Sequence, residues 1–211
     1  MLFQDRRDAG IRLEEALEKY RGQDVVVFAL PRGGVVLGAE IAEYLHAPLD
    51  LVLTKKIGHP GNSEYAICAI AEEGEPLCDP SEVSMVDPDW FRNEVERTRA
   101  ELRRRRKEYL GETKLREVKG KIVIIVDDGI ATGFTMMAAI VEMKRREAKL
   151  VVVAIPVTPY DTALKLKSMG VDLVSLNVDH NFQGAVGAYY LDFRQVTDSE
   201  VISLLKSVNR A

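Results

Sequence analysis

Residues 123–135 decide the fold of this chain; they read Val-Ile-Ile-Val-Asp-Asp-Gly-Ile-Ala-Thr-Gly-Phe-Thr. Four consecutive β-branched residues predict a strand buried on both faces, which is typical of a parallel sheet covered by helices. Asp127 and Asp128 then lie at the carboxyl end of that strand, and small residues lead from them into a helical pattern. In open α/β sheets, this edge is where ligands bind.

The residues after the strand suit a phosphorylated sugar. The first turn of the following helix offers unpaired N–H groups and the positive end of its dipole to a phosphate. Asp127 and Asp128 would repel a phosphate, so we expect them to accept hydrogen bonds from sugar hydroxyls or to hold a divalent cation. An Asp-Asp pair alone is more typical of a turn, but the whole ordered segment favours a phosphoribosyl group.

The segment resembles the ribose-phosphate signature of the type I phosphoribosyltransferases, whose ligand is 5-phosphoribosyl 1-diphosphate. The resemblance implies that Asp127 and Asp128 contact the ribose 2- and 3-hydroxyls. It also implies a 5-phosphate site, whose predicted residues are Ala131, Thr132, Gly133, Phe134 and Thr135, with Gly129 and Ile130 in the same substrate-binding segment.

Composition indicates an ordinary water-soluble globular protein. The 211 residues are 46% hydrophobic and 29% charged, and the net charge of −4 gives no general attraction to nucleic acid. No apolar stretch approaches the ~20 residues that span a bilayer, and residues 1–7 turn polar too early for a signal peptide. We therefore expect a cytoplasmic protein without a membrane partner, with Cys68 and Cys78 as unpaired thiols.

Alternating strand and helix patterns predict the fold class. We expect an α/β fold of the type I phosphoribosyltransferase kind, a parallel sheet with helices on both faces, in one domain spanning 1–211. Residues 64–73 could be a hairpin strand or an excursion from the sheet. The predicted strands are 25–30, 49–54, 121–127, 150–155 and 171–176, and the predicted helices are 8–20, 34–45, 87–109, 135–146, 160–169 and 199–208.

A second anion site is predicted after the first strand. There the sequence Leu-Pro-Arg-Gly-Gly at 30–34 places two glycines where backbone amides can approach an anion, beside an arginine with two donors. A simple strand-to-helix turn is the alternative for this segment taken alone. The segment resembles the pyrophosphate loop of the same family, and that implies a diphosphate bound by Arg32, Gly33 and Gly34.

Residues 53–62 follow the second predicted strand, and their Gly and Pro content predicts a mobile loop. Lysines at a strand end are usually only solvated, but Lys55 and Lys56 would face the diphosphate here. The resemblance implies that a flexible loop closes over the site and brings basic residues to the diphosphate in the transition state. We therefore take Arg32, Lys55 and Lys56 as catalytic candidates, and His59 as a weaker candidate for proton transfer.

Two further segments have an open function. The basic run Arg103–Lys107 could suggest RNA binding, but nearby glutamates on the same predicted helix offer ion-pair partners, so nucleic acid is not expected as a partner. The aromatic and polar stretch at 177–195 could stack on a planar acceptor or could close the core edge. That stretch is a candidate hood over the acceptor, as is an insertion at about 75–119.

These observations predict an enzyme, a Mg²⁺-dependent phosphoribosyltransferase. It would transfer the phosphoribosyl group of 5-phosphoribosyl 1-diphosphate to a nitrogenous acceptor, a nucleobase or an amine, and release diphosphate. The alternatives are a regulatory protein that binds the sugar diphosphate without turnover and, ranked last, a phosphatase or receiver domain built on paired aspartates. No residue is assigned as a metal ligand, and related enzymes make a homodimer one possible assembly.

The resemblance also bears on the acceptor. In 6-oxopurine transferases an acidic residue usually occupies the position held here by Ala131, which makes hypoxanthine and guanine less favoured. The Ala-Thr-Gly arrangement at 131–133 is more similar to that of adenine transferases. The acceptor itself stays open.

Overall fold

The computed structural model describes residues 1–210 and contains a five-stranded sheet, a three-stranded sheet and helices packed around them. Short 3-10 turns lie at Glu18–Tyr20 and Val186–Tyr189. The strands are β1 (Val25–Ala29), β2 (Leu49–Leu51), β3 (Thr54–His59), β4 (Asn62–Ala71), β5 (Leu77–Cys78), β6 (Ile122–Val126), β7 (Leu150–Pro159) and β8 (Asp172–Asp179). The helices are α1 (Arg6–Leu17), α2 (Gly33–Leu45), α3 (Pro80–Val83), α4 (Pro88–Leu110), α5 (Phe134–Arg145), α6 (Tyr160–Ser168) and α7 (Asp198–Val208).

The larger sheet is parallel throughout and has the strand order β2-β1-β6-β7-β8. Strand β6, in the middle, is buried along its whole length, as its run of β-branched residues predicts. Its register with β1 places Ala29 beside Val126, so the two strands end side by side. The loops that follow them therefore start from neighbouring points on one edge of the sheet.

Helices cover both faces of this sheet. On one face, α1, α2 and α7 bury residues such as Leu13, Leu37 and Val201 in the same core cluster. On the other face, Ile140 of α5 and Leu166 of α6 belong to a second cluster with Ile125 of β6. The predicted α/β class, a parallel sheet with helices on both faces, is confirmed.

The segment after β2 differs from its prediction. The second predicted strand, 49–54, ends at Leu51, and β3 then forms an antiparallel hairpin with β4 instead of a mobile loop. Ile57 is fully buried in β3, and a two-residue turn at Pro60 and Gly61 reverses the chain. Gly and Pro therefore mark a tight turn here, and residues 64–73 supply a hairpin strand, which was one of the two options.

The expectation of unpaired thiols was wrong, because Cys68 and Cys78 form a disulfide. Cys68 lies on β4 and Cys78 on β5, and the antiparallel register places them directly opposite each other. Their spacing in the sequence gives no sign of this, since the pairing depends on a strand of only two residues. The bridge fastens β5 to the hairpin.

Helix α4, the core of the predicted insertion, is held to the strands by a buried ion cluster. Arg106 donates to Asp50 of β2 at 2.7 Å and lies 3.4 Å from Glu72, which follows β4. All three residues are at most 9% exposed. Burial raises the pKa of Glu72 to about 7, against the opposing charge of Arg106 and with smaller raising effects from Asp50 and Glu142.

This shift makes a prediction about stability. Because the pKa of Glu72 is about 7 in the fold and its ordinary value is 4.5, its contribution is fully present below about pH 4.5 and is lost as the pH rises through 7. We expect the stability of the wild type relative to Glu72→Gln to fall by about 1–3 kcal/mol between pH 5 and pH 8. Urea unfolding at both pH values measures it.

Glu112→Gln is the matched control, because that side chain is solvated beyond the end of α4. Equal differences between wild type and Glu72→Gln at the two pH values would contradict the prediction.

Candidate active site

The site begins where β1 and β6 end. The backbone N–H of Leu30 donates to the carbonyl of Val126 at 2.9 Å, which ties the two strand ends together. Residues 31–34 leave from the first strand and residues 127–133 from the second. The two segments that sequence analysis singled out separately are therefore neighbours.

Two glycines allow these segments to touch. A Cβ atom on Gly33 would lie 1.9 Å from Oδ2 of Asp128, and one on Gly34 would lie 2.7 Å from the carbonyl oxygen of Val126. Neither distance is compatible with a side chain, and the carbonyl belongs to backbone that cannot swing away. Glycine at 33 and 34 therefore lets the Arg-Gly-Gly segment lie directly against the acidic pair.

The acidic pair is poorly solvated. Burial, together with the neighbouring Asp128, raises the pKa of Asp127 well above its usual range. Burial also raises the pKa of Asp128, and Arg6 opposes that rise. Oδ1 of Asp127 accepts from the backbone N–H of Asp128 at 2.8 Å. Two carboxyls buried so close together favour partners such as hydroxyls, which can donate to them without adding negative charge.

Arg6 is a site residue that sequence analysis missed. Its Nε lies 2.6 Å from Oδ2 of Asp128, and the side chain is only 11% exposed. The guanidinium also donates to the carbonyl of Arg194 at 2.7 Å and lies 3.8 Å from the ring centre of Phe193. Nothing in the local sequence marks this arginine, because its partner lies 122 residues away.

The C-terminal segment fixes the same corner from the other side. The Tyr190 hydroxyl donates to the backbone carbonyl of Asp128 at 2.6 Å. A Cβ atom on Gly129 would lie 2.5 Å from the Val186 side chain. The candidate hood at 177–195 therefore packs onto the acidic segment, and Phe182 stacks on Tyr189 within it. These aromatics act in part as packing, which was one of the two options.

The predicted phosphate segment surrounds the start of α5. Gly133 caps the helix with a φ of 76°, and the Met137 N–H donates back to its carbonyl at 2.8 Å. Ala131 and Thr132 are exposed, while the Thr162 hydroxyl of α6 donates to the Ala131 carbonyl at 2.8 Å. The segment therefore has a fixed backbone and an open side where the first N–H groups of α5 are unpaired.

The cationic candidates lie in different places. Nζ of Lys56 lies 3.4 Å from the Thr132 hydroxyl, so this lysine reaches the phosphate segment from the hairpin. Lys55 instead pairs with Glu101 of α4 at 2.6 Å. Arg32 extends toward Asp198 of α7, with 3.9 Å between the charged groups. His59 lies at the hairpin tip, where its Nδ1 accepts from the N–H of Gly61.

A metal ion would need ligands beyond the protein at this site. Within residues 1–210, no group of three or more His, Cys, Asp or Glu side chains could hold an ion by itself. Asp127 and Asp128 offer carboxylate oxygens of the kind that Mg²⁺ prefers. The chemistry of the pair fits an ion that completes its coordination with substrate oxygens and water.

Arg6 makes a prediction about the site's stability. Arg6→Gln leaves the poorly solvated Asp128 without its ionic partner, so we expect a loss of about 1.5–3 kcal/mol in the free energy of unfolding. Arg7→Gln is the matched control, since Arg7 is 71% exposed and pairs with Glu40 at the surface. Denaturant unfolding of both variants checks this, and equal losses would show that the Asp128 contact adds nothing special.

Comparisons with known proteins agree with this geometry. The family model described as "Phosphoribosyl transferase domain" matches residues 7–194. Two curated relatives from Mycobacterium tuberculosis, "Putative phosphoribosyl transferase MT0597" of strain CDC 1551 and "Putative phosphoribosyl transferase Rv0571c" of strain H37Rv, are each 37% identical over 99% of this chain. The chain spans about half of their length, 47%.

Among solved structures, TT1426 from Thermus thermophilus is 42% identical with a TM-score of 0.84, over 98% of this chain and 99% of that one. No helix of residues 1–210 combines the length and apolar character needed to cross a membrane. Because the family model and the relatives both cover nearly all of it, the chain belongs to the phosphoribosyl transferase domain family.

Proposed function

We propose that this protein transfers the phosphoribosyl group of 5-phosphoribosyl 1-diphosphate to a nitrogenous acceptor and releases diphosphate. The observation that carries the proposal is the direct contact between the Arg-Gly-Gly segment at 32–34 and the acidic pair, made possible by Gly33. One segment suits a diphosphate and the other a ribose. Their contact supports a single ligand in which the two groups are covalently joined.

The binding roles follow from the geometry. The unpaired N–H groups at the start of α5, with the Thr132 and Thr135 hydroxyls, would bind the 5-phosphate. Asp127 and Asp128 would accept from the ribose hydroxyls, and Arg6 would hold Asp128 in place. The backbone at Gly33 and Gly34 would approach the diphosphate. Lys56, which already reaches Thr132, would add positive charge at this edge.

The reaction is a displacement at the ribose C1. A lone pair of the acceptor nitrogen forms the new C–N bond, and the bond from C1 to the diphosphate oxygen breaks with its electron pair leaving on the diphosphate. The chain's residues orient the ribose and place cations where negative charge accumulates. Mg²⁺, held by substrate oxygens with the acidic pair nearby, would neutralise part of the diphosphate charge when bound.

The acceptor side is the exposed surface beyond the phosphate segment. Tyr160 stacks on His180 with 4.1 Å between ring centres, next to α6 and the end of β8. Ala131 offers no charge to a 6-oxopurine, so we propose a nucleobase of another class or an amine as acceptor. We further propose a cytoplasmic enzyme of one domain and, by likeness to related enzymes, a homodimer.

Binding of the sugar diphosphate depends on Asp128. We expect Asp128→Asn to weaken binding of 5-phosphoribosyl 1-diphosphate with Mg²⁺ by at least tenfold, because a neutral amide loses a charge-assisted contact worth about 1.5–3 kcal/mol. Asp24→Asn is the control, since Asp24 lies at the opposite end of the same sheet and pairs with Lys121. Isothermal titration calorimetry measures both, and wild-type affinity in Asp128→Asn would refute the assignment of the ribose site.

Turnover depends on Lys56. We expect Lys56→Ala to keep the affinity for 5-phosphoribosyl 1-diphosphate within severalfold but to lower diphosphate release at least tenfold, the size of one lost charge contact of about 1.4 kcal/mol in the transition state. Lys121→Ala, at the far end of the sheet, is the control.

A screen of nucleobases and small amines with Mg²⁺ supplies the assay for that comparison. Tight binding by the wild type with no diphosphate release for any acceptor would favour the regulatory protein over the enzyme.

A further inference from the structure

A cavity of about 120 Å³ lies beside the acidic pair, between the sheet edge and α4. Its walls include Pro31 of the diphosphate segment, Thr54 at the start of β3, and Asp127 and Thr135 of the ribose-phosphate segment. The remaining wall comes from α4, through Leu102 and Arg105. An arginine from the insertion therefore lines the same space as the predicted substrate residues.

Arg105 is the member of the basic run that is left without a carboxylate while facing this cavity. Arg104 pairs with Glu108, Arg106 with Asp50, and Lys107 with Glu112. Within the part of the chain that the structure describes, Arg105 makes no ion pair within 4 Å, and its guanidinium donates to the Tyr109 hydroxyl at 2.9 Å. Most of its donors therefore stay available to a ligand.

Lys55 explains why Arg105 is unpaired. Glu101 lies one helical turn before Arg105, a spacing at which glutamate and arginine normally pair. Glu101 instead accepts from Lys55 of β3 at 2.6 Å. The hairpin lysine thus occupies the acid that would otherwise neutralise Arg105.

Two contacts fix the direction of Arg105. The buried ion pairs of its neighbour Arg106 set the rotation of α4 against β2 and β4. On the next turn, the Tyr109 hydroxyl donates to Asp198 at 2.6 Å, and Asp198 is also the acid near Arg32. Both arginines thus connect to the same tyrosine and carboxylate pair, so the cation on α4 and the cation of the diphosphate segment are held relative to each other.

We propose that Arg105 binds the diphosphate group of the substrate, with Tyr109 and Lys55 as positioning residues that keep its guanidinium directed into the cavity and unpaired. This inference rests on the proposed function. The forked donors of arginine match the oxygens of a phosphate better than a lysine does. The insertion helix then completes the site from the side opposite the hood.

The test compares Arg105→Gln with Arg104→Gln, a neighbouring exposed arginine whose loss removes the same charge. The ligands are 5-phosphoribosyl 1-diphosphate, inorganic diphosphate and ribose 5-phosphate, each titrated calorimetrically with Mg²⁺. For Arg105→Gln we expect about tenfold weaker binding of both diphosphates and unchanged binding of ribose 5-phosphate. Arg104→Gln should bind all three as the wild type does.

Three further variants separate positioning from charge alone. Arg105→Lys keeps the charge but loses the fork, so its affinity for inorganic diphosphate should lie between those of the wild type and Arg105→Gln. Lys55→Ala frees Glu101 to pair with Arg105 and should weaken that affinity severalfold. Adding Glu101→Gln to Lys55→Ala should restore it, which a purely structural role of Lys55 would not do.

The proposal fails if Arg105→Gln and Arg104→Gln bind inorganic diphosphate equally, or if Arg105→Gln loses ribose 5-phosphate instead. If Arg105→Gln is unfolded by circular dichroism, Arg105→Lys decides by the same comparison. A wild type that binds none of the three ligands overturns the proposed function as well, so the two failures are distinct.

Discussion

The direct packing of Gly33 against Asp128 is the constraint on which the site depends. It requires that β1 and β6 be neighbours, that they end in register, and that no side chain separate their loops. The parallel pairing meets the first two conditions and glycine meets the third. A substrate with phosphate groups at both ends of a sugar can then span two loops that belong to different strands.

Charge is distributed around this contact in a consistent way. The two acidic residues lie at the centre with little solvent, and each neighbouring cation comes from a different element. Arg6 comes from α1, Lys56 from β3, Arg32 from the end of β1 and Arg105 from α4. Because no single helix or loop supplies the positive charge, the hairpin and the insertion helix belong to the site as much as the sheet edge does.

The sequence predicted the sheet and the segments at its edge because those features are local. A run of β-branched residues followed by Asp-Asp and a helix start has one simple interpretation, and the strand, the acidic pair and the helix lie as predicted. The hairpin at β3 and β4 was harder, since Pro-Gly marks both a mobile loop and a tight turn. The disulfide between Cys68 and Cys78 and the contact between Arg6 and Asp128 were out of reach, because each depends on residues brought together by the fold. Arg105 was hidden for a related reason: the nearby glutamates that predicted a solvated, paired run are in place, but Lys55 occupies the decisive one.

The central claim is that residues 32–34 and 127–135 form one binding site for a sugar diphosphate. A crystal structure of the protein with 5-phosphoribosyl 1-diphosphate and Mg²⁺ tests it most directly. The expected result is the 5-phosphate at the start of α5, the ribose hydroxyls on Asp127 and Asp128, and the diphosphate between Gly33 and Arg105. Density for the ligand at any other surface, with this edge of the sheet occupied only by water, would contradict it.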